Sequence, residues 1–335
     1  MIDKKYVLLQ SDFLKMKLFY SKILLFGEYG IIKNSKGLAI PYNFYKGTLK
    51  MLAEEEAKNA LDGQKREEAR KSNEALSAFA SHLESLSKEA TPIVQFDIAR
   101  LKADIAAGMY FDSSIPQGYG VGSSGALVAA IYSEYAINPI DAMAHLTREQ
   151  LLQLRAIFGR MESFFHGTSS GLDPLNSYLS LPILINSLDH IEPTGIPVES
   201  PNGKGAVFLL DSGVIGETAP MVRIFMENMK NESFQKMLKE EFIKYTDACI
   251  DDFLKGRFKS LFGNIKNLSS VVLNHFKPMI PQEFHTLWKQ GIDTGDYFLK
   301  LCGSGGGGYI LGFTEDLEKA KRSLAGHKLE VVYQF

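Results

Sequence analysis

One stretch of the chain reads Ile115-Pro116-Gln117-Gly118-Tyr119-Gly120-Val121-Gly122-Ser123-Ser124-Gly125 and runs directly into the small apolar segment 126–131. Glycines permit positive φ angles and let backbone N–H groups approach an anion closely. The apolar segment predicts a buried helix over 122–137, and a helix N-terminus offers free N–H groups and a positive dipole end. A tight turn with serine N-caps is the simpler alternative for this stretch taken alone. We expect a phosphate cradle made by Gly118, Gly120, Gly122, Ser123, Ser124 and Gly125.

Two further glycine-rich stretches lie far from the first, from Ser21 to Gly30 and from Lys300 to Gly308. Each alone is a weak indication, but the three in this order predict a phosphate-binding site assembled from distant segments.

Two other nucleotide-binding motifs fit the central stretch less well. A Walker A loop ends in Gly-Lys-Ser/Thr, and no lysine precedes Ser123. Residues 120–125 do satisfy G-x-G-x-x-G. A dinucleotide-binding fingerprint, however, should directly follow a strand, and an acidic residue should stand at the end of the next strand. Here Pro116-Gln117-Gly118 precedes the glycines, and Asp141 lies in a loop-like context. The dinucleotide alternative is therefore the less favoured one.

The three stretches resemble the three motifs of the GHMP kinase superfamily, which includes galactokinase, homoserine kinase, mevalonate kinase and phosphomevalonate kinase. The run from Pro116 to Ser124 is similar to the central P-x-x-x-G-L-G-S-S signature, and the run from Lys300 to Gly308 is similar to the C-terminal K-L-T-G-A-G-G-G-G loop. The resemblance spans the chain from Lys22 to Gly308. It implies a kinase that uses ATP and Mg²⁺, with Gly305 and Gly306 joining the central glycines at the nucleotide.

A fourth segment, from Gly159 to Asp173, resembles the mevalonate kinases, with Glu162, then His166, then Ser-Gly-x-Asp. The resemblance implies that Ser124 and Glu162 hold Mg²⁺ and that Asp173 contacts the acceptor hydroxyl and Lys22. It also implies substrate contacts from Glu28, Tyr29, His166 and, by a looser alignment, Thr218.

These residue types suit phosphoryl transfer, which depends on positioning and charge neutralisation more than on covalent chemistry. Mg²⁺ takes hard oxygen ligands, commonly one or two from the protein together with phosphates and water. A carboxylate such as Asp173 can accept the proton of an attacking hydroxyl, and a neighbouring lysine such as Lys22 would keep it ionised.

Each of these residues also has a simpler interpretation. Glu162 and His166 are spaced i, i+4 and would pair on a helix surface. Asp173 precedes Pro174 and would be a helix N-cap. Lys22 would be one solvated lysine among many. A zinc site is not favoured, because H-E-x-x-H is absent and Cys249 and Cys302 lack ligand spacing.

Several departures from the family pattern leave the substrate open. Tyr29 stands where mevalonate kinases usually have histidine, and Pro174 stands where they have asparagine. The first motif opens with Phe19-Tyr20-Ser21 instead of Ala-Pro-Gly, and Gly125 is more typical of phosphomevalonate kinases. We expect mevalonate as the acceptor. Phosphomevalonate, with Lys33 and Lys36 as cationic contacts, is the first alternative, followed by another small alcohol or sugar and by a non-catalytic ligand-binding homologue.

Composition agrees with a cytoplasmic enzyme. The chain has 335 residues, of which 45% are hydrophobic, and a formal net charge of −2, which disfavours nucleic acid as a partner. The sequence lacks a run of eighteen apolar residues, so we expect no membrane span, and residues 1–10 are too polar for a signal peptide. Two distant cysteines favour a reducing compartment. The oligomeric state stays open, with a homodimer as one expectation.

The hydrophobic pattern predicts an α+β protein of two domains, 1–195 and 196–335, joined through the Pro- and Gly-rich segment 187–204. The resemblance implies an N-terminal domain of a type also seen in ribosomal proteins, a ferredoxin-like C-terminal domain, and an active site in the cleft between them. The pattern predicts strands at 15–26, 37–50, 93–98, 181–185, 205–211, 309–313 and 328–334, and helices at 54–86, 122–137, 147–165, within 217–292 and at 315–325.

Overall fold

Two antiparallel sheets organise the computed structural model, which describes residues 17–57 and 62–335. The first sheet has the order β1-β2-β4-β5, with β3 also paired to β2. Its strands are β1 (Phe19–Phe26), β2 (Gly37–Met51), β3 (Met109–Ser113), β4 (Ile183–Ser187) and β5 (His190–Pro193). The second sheet has the order β7-β8-β6-β9. Its strands are β6 (Ala206–Asp211), β7 (Phe298–Leu301), β8 (Tyr309–Thr314) and β9 (Leu329–Gln334).

Helices separate the strands in both halves of the chain. The first half contains α1 (Leu52–Ala57), α2 (Gly63–Ser87), α3 (Ile98–Ala106), α4 (Ser123–Tyr135), α5 (Arg148–His166) and α6 (Leu172–Leu179). The second contains α7 (Thr218–Asn228), α8 (Glu232–Met237), a π-helical segment (Leu238–Ile243), α9 (Lys244–Leu254), α10 (Phe258–His275), α11 (Phe284–Thr294) and α12 (Leu317–Ser323). Short 3₁₀ turns cover Gly30–Lys33 and Lys277–Met279.

The site is positioned by the way β1, α4 and α6 pack on one another. Helix α4 is apolar on nearly all sides and is buried, since Val128, Ala129 and Ile131 are all fully inaccessible. Its small residues let α6 and β1 approach closely, so that segments distant in the sequence meet at its N-terminus. A second set of apolar residues, from α2 to α6, forms a separate core beneath the first sheet.

The larger core runs through both halves of the molecule. Phe26 of β1 stacks on Phe313 of β8 with ring centroids 5.3 Å apart, and Tyr29 stacks on Phe225 of α7 at 4.6 Å. The two sheets therefore share buried side chains. We propose the boundary between domains at 195/196, in the segment between β5 and β6.

The α+β class and most of the predicted elements are confirmed. Helix α4 corresponds to the predicted helix at 122–137, and α5 corresponds to the predicted helix at 147–165. Thr147 is the N-cap residue of α5, and Gln150 completes a capping box. The predicted strand at 93–98 is wrong, because Phe96 makes only a single bridge to Ala136 and Asp97 caps the start of α3. Strands β3, β5 and β7 and helix α3 are not anticipated by the pattern.

Some expectations fall outside the part of the chain that the structure describes. These are the first two residues of the predicted strand at 15–26, residues 58–61 of the predicted helix at 54–86, and the polar N-terminus at 1–10. Within 17–57 and 62–335, the structure contains no helix with the length and apolar character needed to cross a bilayer.

Candidate active site

The central glycine-rich stretch forms a tight loop that delivers the chain into α4. Gly118, Gly120 and Gly122 have φ angles of +76°, +78° and +80°, which other residues rarely adopt. Gly122 is the N-cap residue of α4, and no side chain caps the first turn. The alternative of a turn with serine N-caps is therefore wrong, since Ser123 and Ser124 lie inside the helix. This terminus has the backbone and dipole arrangement that binds anions.

Lys22 reaches this loop from β1. Its backbone N–H donates to the carbonyl of Val121 at 3.0 Å, and its Nζ lies 3.0 Å from Asp173 Oδ1. The lysine side chain is 5% exposed and the aspartate side chain is 38% exposed. Burial favours the neutral amine, but the charge of Asp173 outweighs it and raises the pKa of Lys22, so the ammonium group persists at neutral pH. Lys22 is thus not a solvated surface lysine.

Asp173 is the second residue of α6, whose N-cap is Gly171. The prediction that Asp173 is an N-cap is therefore wrong, and its carboxylate faces Lys22 instead. Gly125 of α4 packs directly on this turn, because a Cβ at Gly125 would lie 2.8 Å from the Asp173 carbonyl carbon and 2.9 Å from the Pro174 nitrogen. A glycine at 125 is what lets the first turns of α4 and α6 touch.

Glu162 lies beneath the same helix terminus, held by two serine hydroxyls. Ser124 Oγ donates to Glu162 Oε1 at 2.8 Å, and Ser169 Oγ donates to Oε2. His166 Nε2 is 3.1 Å from Ser124 Oγ. The glutamate is 3% exposed, so the interpretation of Glu162 as half of a surface pair is wrong. Burial, and secondarily the charge of Asp173, raises the pKa of Glu162 to about 7.

The third glycine-rich stretch packs against the central loop. A Cβ at Gly120 would lie 2.7 Å from the Cys302 carbonyl oxygen, and the Tyr309 N–H donates to the Tyr119 carbonyl at 3.3 Å. The N–H of Gly306 donates to the Met279 carbonyl at 2.6 Å. Nucleotide binding by Gly305 and Gly306 stays a prediction, since the one N–H described at these two glycines bonds within the C-terminal half.

Glu28 and Tyr29, the predicted substrate residues of the first glycine-rich stretch, contact residues of the third stretch. Glu28 forms an ion pair with Lys300 at 2.5 Å. The Tyr29 hydroxyl donates to the Ser304 carbonyl at 2.6 Å, and the Ser304 hydroxyl lies 3.3 Å from Thr218 Oγ1. Tyr29 and Thr218 therefore both contact Ser304, whereas His166 lies beside Ser124. Substrate contact by these four residues stays a prediction.

Some parts of the site are not foreseen from the sequence. Lys300 and Ser304 lie in the third stretch, and the apolar residues around Lys300 were the available sign that this lysine is buried. Segment 212–216 also joins the loops, since the Gly216 N–H donates to the Gly118 carbonyl at 2.9 Å and the Gly308 N–H to the Val214 carbonyl at 2.6 Å. The glycines that follow strand β6 were the signal by which the sequence could have indicated this segment as part of the site.

The residues at the α4 terminus fit a magnesium–nucleotide pair. Ser124 and Glu162 supply one hydroxyl and one carboxylate, both hard oxygen ligands. Residues 17–57 and 62–335 contain no group of three or more His, Cys, Asp or Glu suited to a metal. A pair of protein ligands is nevertheless what Mg²⁺ takes when phosphates and water complete its shell.

Residues 80–180 match the family described as GHMP kinases N terminal domain. No curated protein matches the sequence of the chain.

Solved structures resemble the chain over nearly its whole length. L. major mevalonate kinase in complex with R-mevalonate has a TM-score of 0.58 at 15% identity, over 96% of each chain. Streptococcus pneumoniae phosphomevalonate kinase in complex with phosphomevalonate and AMPPNP has a TM-score of 0.61 at 12% identity, over 95% of this chain and 100% of that one. Lactococcus lactis galactokinase complexed with galactose has a TM-score of 0.57 at 12% identity, over 99% and 96%.

The chain therefore has the two-domain GHMP kinase fold, and its resemblance to the GHMP kinase superfamily is confirmed. Members of that superfamily are ATP-dependent kinases. At these identities the likeness establishes the fold, and the structures it covers hold three different acceptor molecules.

Proposed function

We propose that the protein is a Mg²⁺-dependent kinase that transfers the γ-phosphoryl group of ATP to the primary hydroxyl of mevalonate, in the cytoplasmic synthesis of isoprenoid precursors. One observation carries the proposal. The Lys22–Asp173 pair and the Ser124–Glu162 pair converge on the N-terminus of α4. A base, a fixed cation, a metal-binding pair and an anion cradle are the components that phosphoryl transfer requires.

Each component has a defined role in the proposed reaction. The partly exposed Asp173 accepts the proton of the acceptor hydroxyl, and Lys22 keeps that carboxylate ionised and offsets negative charge on the transferred group. The N–H groups at the start of α4 bind the nucleotide phosphates. Ser124 and Glu162 would hold Mg²⁺, which when bound neutralises phosphate charge.

Mevalonate is favoured over phosphomevalonate by the fourth sequence segment and by the surroundings of Lys36. Lys36 Nζ lies 2.6 Å from Asp251 Oδ1, and its backbone N–H donates to Asp247 at 2.9 Å. This lysine is therefore already engaged by two acidic residues. Gly125, the residue that suggested phosphomevalonate kinases, has a steric reason in its contact with Asp173. Two unpaired, buried cysteines agree with a reducing compartment.

The test is ADP release by the purified protein with Mg-ATP and mevalonate, phosphomevalonate, galactose or homoserine in parallel. Turnover with mevalonate alone is the expected result. Turnover with phosphomevalonate alone would replace the proposed acceptor and keep the kinase assignment. ATP binding without ADP release for any acceptor would contradict the proposal and favour a ligand-binding homologue.

A further inference from the structure

A buried ion pair joins the first glycine-rich segment to the strand that leads into the third. Lys300 Nζ lies 2.5 Å from Glu28 Oε1, and the two side chains are 3% and 4% exposed. Lys300 also donates to the carbonyl of Leu301 at 2.8 Å. The partners are 272 positions apart in the sequence, one directly after β1 and the other in β7. The pair therefore spans the two halves of the molecule.

Stability alone does not account for charges at this position. Removing two charges from water is costly, and well-packed apolar side chains of similar volume often stabilise a core as well or better. A buried ion pair differs from an apolar contact in being directional, because its hydrogen bonds hold both partners at one distance and orientation. The distinctive contribution of Glu28 and Lys300 is thus to fix how their two segments lie relative to each other.

Both segments lead to the central loop 118–122. Glu28 follows β1, which carries Lys22, and Lys22 donates to Val121 in the loop at 3.0 Å. Lys300 precedes Cys302, whose carbonyl oxygen packs on Gly120. Together with these contacts, the ion pair links the first segment, the central loop and the third stretch in a closed ring. The Tyr29–Ser304 hydrogen bond connects the same first and third segments.

We propose that Glu28 and Lys300 are positioning residues that hold the central loop 118–122 in register with Lys22. Glu28 then acts through Lys300 and not by touching substrate. The catalytic consequence rests on the proposed kinase function, but the effect on the loop does not. Loss of the pair loosens the loop relative to Lys22, which lowers kcat more than it weakens nucleotide binding.

Amide hydrogen exchange tests the positioning role without any substrate. Lys300→Met removes the directional contact and leaves Glu28 unpaired. The double variant Glu28→Met/Lys300→Met replaces both charges by apolar side chains, so that it folds even if the single variant does not. In the double variant, the amides of Lys22, Gly216 and Tyr309, which donate to the carbonyls of the central loop, should exchange at least about ten-fold faster, while exchange in α2 stays as in the wild type. Unchanged exchange of these three amides would overturn the proposal.

Kinetics provides the second measurement. The double variant should lose about 10- to 100-fold in kcat, because a misplacement of about 1 Å has effects of this size, while the KM for ATP stays within about three-fold. A double variant with wild-type kcat would show that the pair only balances buried charge, and would overturn the positioning role. If the wild-type protein phosphorylates no acceptor, the proposed function fails, and hydrogen exchange still decides the role of the pair.

The matched control is Lys319→Met. Lys319 forms an ion pair with Asp296 at 2.7 Å in the same half of the molecule, but its side chain is 52% exposed and lies outside the loops. This variant should keep both the exchange rates and kcat of the wild type. A similar loss in the control would attribute the effect to the loss of any lysine pair and would contradict the proposal.

Discussion

Asp173 is placed to act as the base, because its carboxylate is partly exposed and lies 3.0 Å from Lys22. Asp173→Asn keeps the size of the side chain and a hydrogen-bond acceptor for Lys22, but it removes the proton-accepting group. We expect kcat to fall by about 10²- to 10⁴-fold, with affinity for AMPPNP within about three-fold of the wild type. ADP release and calorimetric titration measure the two quantities. Asp293→Asn, which alters an exposed pair with Lys289, is the control, and near-normal turnover of Asp173→Asn would refute the assignment.

Ser124 is the second residue whose role can be isolated, since its hydroxyl bonds the buried Glu162. Ser124→Ala should raise the Mg²⁺ concentration required for half-maximal rate by at least about ten-fold, the size of effect seen when groups supporting a metal are removed. A Mg²⁺ titration of initial rate measures this shift. Ser133→Ala, on the exposed side of the same helix, should leave it unchanged. An unaltered Mg²⁺ dependence for Ser124→Ala would remove Ser124 from the metal site.

The sequence is informative about residues whose neighbours carry a motif. Lys22, Ser124, Glu162 and Asp173 were each predicted from motifs that resemble those of the GHMP kinase superfamily, and the structure brings them together. The sequence could not indicate that Glu28 pairs with Lys300, because the two residues are 272 positions apart and their contact depends on how the two sheets pack. Residue type and spacing mark a candidate, whereas its partner is set by tertiary packing.

At the scale of helices, alanine substitution at two glycines should have opposite effects on stability. Gly125 of α4 touches the backbone of α6, whereas nothing lies within 4 Å of a Cβ placed at Gly263 in α10. Gly125→Ala should therefore destabilise the protein by about 1–3 kcal/mol through overpacking and lower kcat by displacing Asp173. Gly263→Ala should stabilise it by up to about 1 kcal/mol, because alanine is the better helix former. Urea denaturation measures both, and a stabilised Gly125→Ala would show that α4 and α6 are not in contact.

The corner between α9 and α10 predicts a pH dependence of stability. Burial favours the protonated form of Asp252, but hydrogen bonds from Ser260, Arg257 and Asn264 outweigh it and hold the pKa of the carboxyl below its ordinary value. A lowered folded pKa stabilises the fold above the unfolded pKa of about 3.9, and this stabilisation is lost as pH falls through the folded value.

Asp252→Asn should accordingly lower the free energy of unfolding at pH 7 by about 1.5–3 kcal/mol, the range for hydrogen bonds to a charged group. The difference from the wild type should shrink as the pH falls below about 4. Urea denaturation at pH 7, 5 and 3 measures it. Glu318→Gln, which alters an exposed pair on α12, should show no comparable trend. A difference that is constant with pH would exclude the ionised Asp252 as its cause.

Elements were predictable where their pattern is long and their ends are marked. Helix α5 has nineteen residues and a capping box, and its position follows from the sequence. Strand β3 has five residues and β7 has four, and their place depends on pairing with β2 and β8. The run at 93–98 has strand-like residues but makes only a single bridge, from Phe96 to Ala136. Short elements are thus decided by tertiary pairing, which a local pattern does not contain.

At the scale of the whole molecule, the proposed boundary at 195/196 separates the sheets but not the core. Phe26 and Phe313 stack across it, as do Tyr29 and Phe225, and all four belong to one buried cluster. Separating the halves would expose these rings together with the buried charges of Glu28 and Lys300. We therefore expect each half to be stable only against the other.

A single cooperative unfolding transition should follow from this shared core, although two-domain proteins often unfold in steps. Scanning calorimetry of the whole chain should give equal calorimetric and van't Hoff enthalpies. Phe313→Ala should lower the one midpoint, by the equivalent of about 3–5 kcal/mol, without splitting the transition. Phe258→Ala, at a partly buried residue of the second half, is the comparison and should have a smaller effect. Two resolved transitions, or cooperative unfolding by fragment 196–335 alone, would show that the halves are independent and that the cleft between them is not held by a common core.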